Sequence, residues 1–247
     1  MNLLITLFLF MPARASIPVD AISEKMAKII EPLESQEGFR KFVQEHSQEF
    51  FEVSETNALP QPPVEDYIIK IGAESYRLGM GFRSIYILAT PKIVVSIVDD
   101  PQYFQALYGL DKPADIFQRR PDGTFDGLVF KLVPGVETQE YILHYSSHWE
   151  DSAWIQRAKQ IKDERNFAIR DNIKYLFPQG TGTVFREVSL LYPLRWWARL
   201  FPSKVRSVTS HELAKLNAAI KCAAEKVQLG STMSVEIAAT CHKEANK

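Results

Sequence analysis

From His211 to Val227 the apolar positions recur every three or four residues: Leu213, Leu216, Ile220, Ala223, Ala224 and Val227. On a helix they fall into one stripe, and Lys215, Lys221, Cys222 and Glu225 fall away from it. Ser210 is placed to cap such a helix, Glu212 lies in the first turn where the dipole favours an acid, and Gly230 follows its end. Upstream the period changes to two. Tyr76, Leu78, Met80 and Phe82 alternate with Arg77, Gly79, Gly81 and Arg83. Phe167, Ile169, Ile173, Tyr175 and Phe177 alternate with Asn166, Arg170, Asn172 and Lys174. Both runs predict strands with one apolar and one polar face.

The stretch Pro178-Gln179-Gly180-Thr181-Gly182 turns the second of these strands into another, residues 183–192. Pairing Pro178 with Thr183 places Val184, Val188 and Leu190 on the face of Ile173 and Tyr175, the register that buries apolar against apolar. Shorter strands are expected at residues 114–120 and 125–133, around the turn Pro121-Asp122-Gly123-Thr124, and at 138–145. Thr90-Pro91 and Asp100-Pro101 each combine an N-cap with proline at the first helical position, and predict two short helices after the first strand. Residues 151–162 are ambiguous: Trp154, Ala158 and Ile161 have helical spacing and point to a short insertion across one end of the sheet.

The first quarter of the chain is different. Ile22, Met26, Ile29, Ile30 and Leu33 form one helical stripe, and Phe39, Phe42, Val43, Phe50 and Phe51 another, with Pro32 and Gly38 between them. Leu59-Pro60-Gln61-Pro62-Pro63 reads as a stiff linker. Before these, Leu3 to Met11 is almost wholly apolar and Ala13-Arg14-Ala15 precedes Ser16, a secretory signal layout too short to span a bilayer. No Lys or Arg precedes the apolar run. The expected division is a signal peptide at 1–15, a helical segment at 16–58, a linker at 59–63, the main domain at 64–228 and a tail at 229–247. The expected compartment is the periplasm or the exterior. There Cys222, pointing away from the apolar stripe, can pair with Cys241 and staple the tail over the helix.

Composition narrows the function. A formal net charge of −1 over 247 residues gives no general attraction to nucleic acid. There is no Gly-x-Ser-x-Gly elbow, Walker sequence or paired catalytic carboxylate arrangement. His144 and His148 would stand about 13 Å apart on a strand, too far to share an ion, so neither a metal site nor a cofactor is expected.

The passage Ala89-Thr90-Pro91-Lys92-Ile93-Val94-Val95-Ser96-Ile97-Val98-Asp99-Asp100-Pro101, the late Gly-Thr-Gly-Thr strand, the Pro193 loop and the closing amphipathic helix resemble the START-like, or helix-grip, family, which includes polyketide cyclase and coenzyme Q-binding relatives. The resemblance covers about residues 64–227. It implies an α+β fold: a curved antiparallel sheet wrapped around a long C-terminal helix, two short helices after the first strand, and here an N-terminal helical extension. It also implies a lipid or other hydrophobic small molecule held between sheet and helix by a monomer. The alternatives are a cyclase- or hydrolase-like enzyme using the same cavity, or an interaction module whose N-terminal helices bind a partner.

On this expectation the apolar strand faces meet the closing helix. Leu128, Phe130, Tyr141, Leu143 and Tyr145 would line one side of the ligand; Ile169, Ile173, Tyr175, Val188 and Leu190 would line the other, with Leu216 and Ile220 from the helix. Asp171, the one charge on the apolar face of its strand, and Arg186, opposite Tyr175, are the expected polar contacts. Asp171 can instead form an ion pair near the rim. Arg195, Trp196, Trp197 and Arg199 interleave aromatic bodies with cations, as a bilayer-contacting segment does. Tryptophan emission should therefore shift to the blue with anionic vesicles, and salt should reverse it. An unchanged spectrum would sink the membrane-contact reading.

Overall fold

The computed structural model describes residues 17–46, 64–109, 119–131, 139–162, 168–194, 199 and 202–246. The expected signal peptide, the proline-rich linker, most of the expected strand at 114–120, and Arg195, Trp196 and Trp197 lie outside them.

Helix α1 (Val19–Ile30) buries Ile22, Met26 and Ile30, spaced four apart on one stripe. Pro32 belongs to a 3₁₀ turn, Glu31–Glu34, that links it to α2 (Gln36–His46). A side chain at Gly38 would lie 1.8 Å from the Pro32 carbonyl oxygen, so glycine is what allows this tight approach. Strands β1 (Val64–Ile71) and β2 (Glu74–Ile87) lead to α3 (Pro91–Val98) and α4 (Pro101–Tyr108). The latter is capped by the Asp100 carboxylate, which accepts from the Gln102 N–H. Strands β3 (Phe125–Lys131), β4 (Gln139–Glu150), β5 (Ala153–Lys162), β6 (Ala168–Gln179) and β7 (Gly182–Pro193) follow, then α5 (Pro202–Gln228) and α6 (Val235–Glu244).

All seven strands form one antiparallel sheet in the order β1-β2-β7-β6-β5-β4-β3. Residues 153–162 are strand β5, paired with both β4 and β6, and not the insertion that their spacing suggested. Three apolar residues at helical intervals carry little weight when the segment is buried on both sides. The closing helix also begins earlier than expected, at Pro202, so Ser210 lies inside it and does not cap it.

Each face of the sheet has its own helical cover. Leu78, Met80 and Phe82 of β2, Val188 and Leu190 of β7, Ile169, Ile173 and Tyr175 of β6, and Ile155 of β5 pack against Ile22, Met26, Ile30, Leu33, Phe39 and Phe42. The Phe39 and Tyr175 rings stack at 4.1 Å. On the other face, Ile85, Ile87, Phe185, Leu176 and Trp154 pack beneath α3, α5 and α6. The expectation that Ile169, Ile173, Tyr175, Val188 and Leu190 face the closing helix is therefore corrected. The register is as expected, with Pro178 opposite Thr183 and Tyr175 opposite Arg186, but the apolar face is covered by the N-terminal helices. Two-sided burial leaves alternation unable to say which cover belongs to which face.

The long helix also solves an edge problem. Among the described residues β1 pairs with β2 as far as Gly81, and the next stretch of β2 has no strand partner on that side. Helix α5 runs alongside it: Lys221 donates to the Tyr86 carbonyl, while Glu225 and Gln228 accept from the Leu88 and Thr90 N–H groups, each at 3.1 Å. Helix α6 folds back onto α4 and α5, held by the Cys222–Cys241 disulfide with its Cα atoms 5.6 Å apart. The His242 ring bonds the Leu107 carbonyl oxygen at 2.9 Å. It lies so close to Gly109 that any Cβ there would meet Nε2 at 2.2 Å. Closing 19 residues, the bridge should contribute about 3 kcal/mol. Denaturant unfolding of the Cys222→Ala/Cys241→Ala double variant should show a loss of that order, with earlier proteolysis in α6.

Candidate functional site

Residues directly opposite in an antiparallel ladder share a face. Following the register from β5 across the sheet, Gln156 stands opposite Lys174, Lys174 opposite Glu187, and Glu187 opposite Arg83. This row lies on the face of α3 and α5, and all four side chains are almost completely buried (1%, 1%, 3% and 3% exposed) where an ordinary core would be apolar. Its members satisfy one another. Arg83 forms an ion pair with Glu187 and donates to the Asn217 side-chain oxygen of α5 at 3.3 Å. Asn172 and Ser189 both donate to the other Glu187 oxygen at 2.8 Å. Lys174 donates to the Gln156 side-chain oxygen at 2.8 Å, and the Gln156 amide donates to Asp99 at 2.9 Å. Asp99, at the end of α3, pairs with Arg119 near the surface.

The row divides the layer in two. Toward the end of β2 lies the closed apolar cluster of Ile85, Leu176, Phe185 and Trp154, and the Arg83 guanidinium sits 4.7 Å above the Phe185 ring. On the other side the same face carries small residues, Gly79 and Gly81 of β2, Ser189 of β7 and Ala158 of β5, with Gly81 beneath α5. A Cβ on Gly81 would already touch Leu213 of that helix at 3.4 Å. Further across, Phe125, Leu143, Tyr145 and Ala158 form a separate apolar cluster, with the Phe125 and Tyr145 rings stacked at 4.6 Å.

Burial sets the ionisation of the row. Lack of solvent, with Arg83 nearby, pushes the Lys174 ammonium down to about 7. Burial likewise brings Arg83 down to about 10. The Asp99 carboxyl is raised by burial despite Arg119. The Arg83 Nε–H is buried with no hydrogen-bond partner among the described residues.

Of the residues expected to contact a ligand, Leu143 and Tyr145 and, from α5, Leu216 and Ile220 lie on this side of the sheet. Ile169, Ile173, Tyr175, Val188 and Leu190 lie on the opposite side under α1 and α2, together with Asp171 and Arg186. Asp171 is an ion pair: Arg157 approaches both of its oxygens at 3.1 and 2.7 Å and continues to Glu34 of the 3₁₀ turn, tying the N-terminal segment to the sheet. The Arg186 guanidinium lies over the Phe177 ring, and burial lowers its pKa to about 10. Leu128, Phe130 and Tyr141 take ladder positions opposite Ile142, Glu140 and Val129, and their side chains lie outside the described residues. Arg199 donates to the Pro193 and Leu194 carbonyls, so its guanidinium is engaged with its own loop.

Arg83, Lys174, Glu187 and Gln156 escape sequence reasoning because polar residues alternating with apolar ones read as the solvent face. Asn217 breaks the apolar stripe of α5, and Gly79 and Gly81 share a strand face with Arg83. Small residues on one strand face mark a close approach, and together these signals point to this side as an interior.

Neither a protein-family model nor a curated protein matches the sequence. Among solved structures the chain is similar to human STARD10 (TM-score 0.53, 11% identity, covering 79% of this chain and 83% of that one). It is also similar to a STAR-related lipid transfer protein from Xanthomonas axonopodis (TM-score 0.48, 12% identity, covering 66% and 99%) and to norcoclaurine synthase from Thalictrum flavum (TM-score 0.40, 12% identity, covering 70% and 100%). The fold is thus START-like, a helix-grip α+β fold whose antiparallel sheet curves about a long C-terminal helix. At 11% identity the likeness to STARD10 is one of fold.

Lys174 also gives the site a pH signature. Its folded pKa of about 7 lies below the unfolded value of 10.5, so the unfolded chain binds more protons between those limits. Stability should rise with pH through that window and be depressed below it, by a few kcal/mol for a shift of this order. Lys174→Met should therefore be more stable than the parent chain at pH 6, with the gap closing toward pH 10. Chemical unfolding at both pH values checks this, and a pH-independent gap would contradict it.

Proposed function

We propose that the protein is an exported carrier that binds a lipid or similar amphipathic molecule between the sheet and α5, and transfers it between membranes. The buried row from Gln156 to Arg83 carries this reading. A START-like fold supplies a helix laid across a sheet, and here that layer holds a polar constellation bordered by small residues and an apolar cluster. A ligand's polar end would meet Arg83, Glu187, Asn217 and Lys174. Its apolar body would run toward Leu143, Tyr145 and Phe125, with Leu213 and Leu216 above. Few, well-placed polar groups in an otherwise apolar site are how such pockets orient a ligand.

The Cys222–Cys241 bridge suits an oxidising compartment, in agreement with the leader-like N-terminus. No described helix is long and apolar enough to cross a membrane. The Arg195–Arg199 segment follows β7 directly and is the proposed point of membrane contact. Helices α1 and α2 bury their apolar stripes on the sheet, which favours a structural role for them over partner capture.

Native mass spectrometry and organic extraction of the purified chain should yield one lipid-like molecule per protein. Arg83→Met should reduce its recovery severalfold. Folded protein that carries nothing, and takes up nothing from vesicles of mixed phospholipids and neutral lipids, would overturn the proposal.

A further inference from the structure

We infer that two copies of this chain associate through the outer edge of β1, in an antiparallel pairing centred on Ile68 that makes one continuous sheet across a twofold axis.

Strand β1 ends the sheet, and among the described residues no strand pairs with its outer side. Its hairpin with β2 has a two-residue loop, Gly72-Ala73, between the paired residues Ile71 and Glu74, with Gly72 at a φ of 61°. In such a loop the Ile71 carbonyl accepts from the Glu74 N–H, and the direction of the backbone groups alternates from there. Ile69 and Tyr67 thus bond β2, while Lys70, Ile68 and Asp66 direct their N–H and C=O groups outward. Tyr67, Ile69 and Ile71 turn their side chains to the core under α1 and α2. The opposite face carries Ile68 between exposed Asp66 and Lys70. Ile68 is 59% exposed, the highest value for a large apolar side chain on any described strand.

An edge that stays single commonly places a charge where a neighbour would add. β1 instead has isoleucine at its centre, with an acid two residues before it and a base two residues after. When the strand meets its own copy antiparallel about Ile68, Ile68 faces its counterpart, Asp66 faces Lys70 of the second copy, and Lys70 faces Asp66. The three outward backbone positions become the hydrogen-bonded pairs, so ladder and side chains agree on one register. Centring on Tyr67 would set Asp66 against Ile68, and centring on Ile69 would set Ile68 against Lys70. The pairing adds to the contacts Asp66 already makes, Arg77 at 3.6 Å among them, because a carboxylate accepts from several donors. The same patch on both copies makes the contact isologous and closed, so it ends at a dimer.

Sedimentation velocity of the purified chain, from low micromolar to submillimolar concentration, should show a reversible monomer–dimer equilibrium. Ile68→Lys, which brings two ammonium groups together on the axis, should weaken it about tenfold or more. Asp66→Lys and Lys70→Glu should each weaken self-association, yet an equimolar mixture of the two should form a heterodimer, because every facing pair then has opposite charges. A role of these side chains within one chain would not produce that rescue. Both native cysteines are bridged, so an added thiol reports on its own position. Ile68→Cys should form an interchain disulfide on mild oxidation, since hydrogen-bonded partners lie about 5.5 Å apart at Cα. Lys70→Cys, displaced about 13 Å along the strand from its counterpart, should not. A chain that stays monomeric throughout, a dimer that survives Ile68→Lys, or a mixture that fails to associate overturns the inference. None of these readouts depends on a bound ligand.

Discussion

The buried polar groups of this sheet answer to one constraint: the middle of the sheet is covered on both faces. A charge that enters either layer must find a partner there, because an isolated buried ion is far too costly to keep. The chain meets this with two separate constellations. Under α1 and α2, Arg157 bridges Asp171 of the sheet to Glu34 of the 3₁₀ turn. Under α3 and α5, Arg83 and Glu187 share their charge with Asn172, Ser189 and Asn217. The first constellation is mechanical, fastening the N-terminal helices. The second lies inside the layer between the sheet and the long helix.

The long helix does three jobs with different parts of its length. Its first half passes over the small residues of β2, where Leu213 meets Gly81. Its middle supplies Asn217 to the polar row and the small side chains Ala219, Ala223 and Ala224 to the core. Its last turns bond the edge of β2 and carry Cys222, which fastens α6. The C-terminal half is thus pinned by side-chain bonds to the sheet edge and by the disulfide.

Much of this architecture is legible residue by residue. The β6–β7 register follows from the turn at residues 178–182 and the alternation on either side of it. The two short helices follow from Thr90-Pro91 and Asp100-Pro101, and the outward position of Cys222 follows from the helix stripe. The interior site is not legible in the same way. Lys174 and Arg170 look alike in the pattern, yet Lys174 is almost wholly buried and Arg170 is not. Nothing local distinguishes a polar residue facing water from one facing a buried partner on another strand.

The sequence by itself determined the period of each element, the turns that join the strands and the presence of a helix long enough to close the sheet. These depend on neighbours within a few positions, where propensity and capping act directly. Only the tertiary structure decided which helices cover which face, that residues 153–162 complete the sheet, and that Gln156, Lys174, Glu187 and Arg83 meet in one buried row. Those outcomes depend on contacts between segments far apart in the chain. Alternation records that a strand has two faces, and only packing decides which face looks inward and onto what.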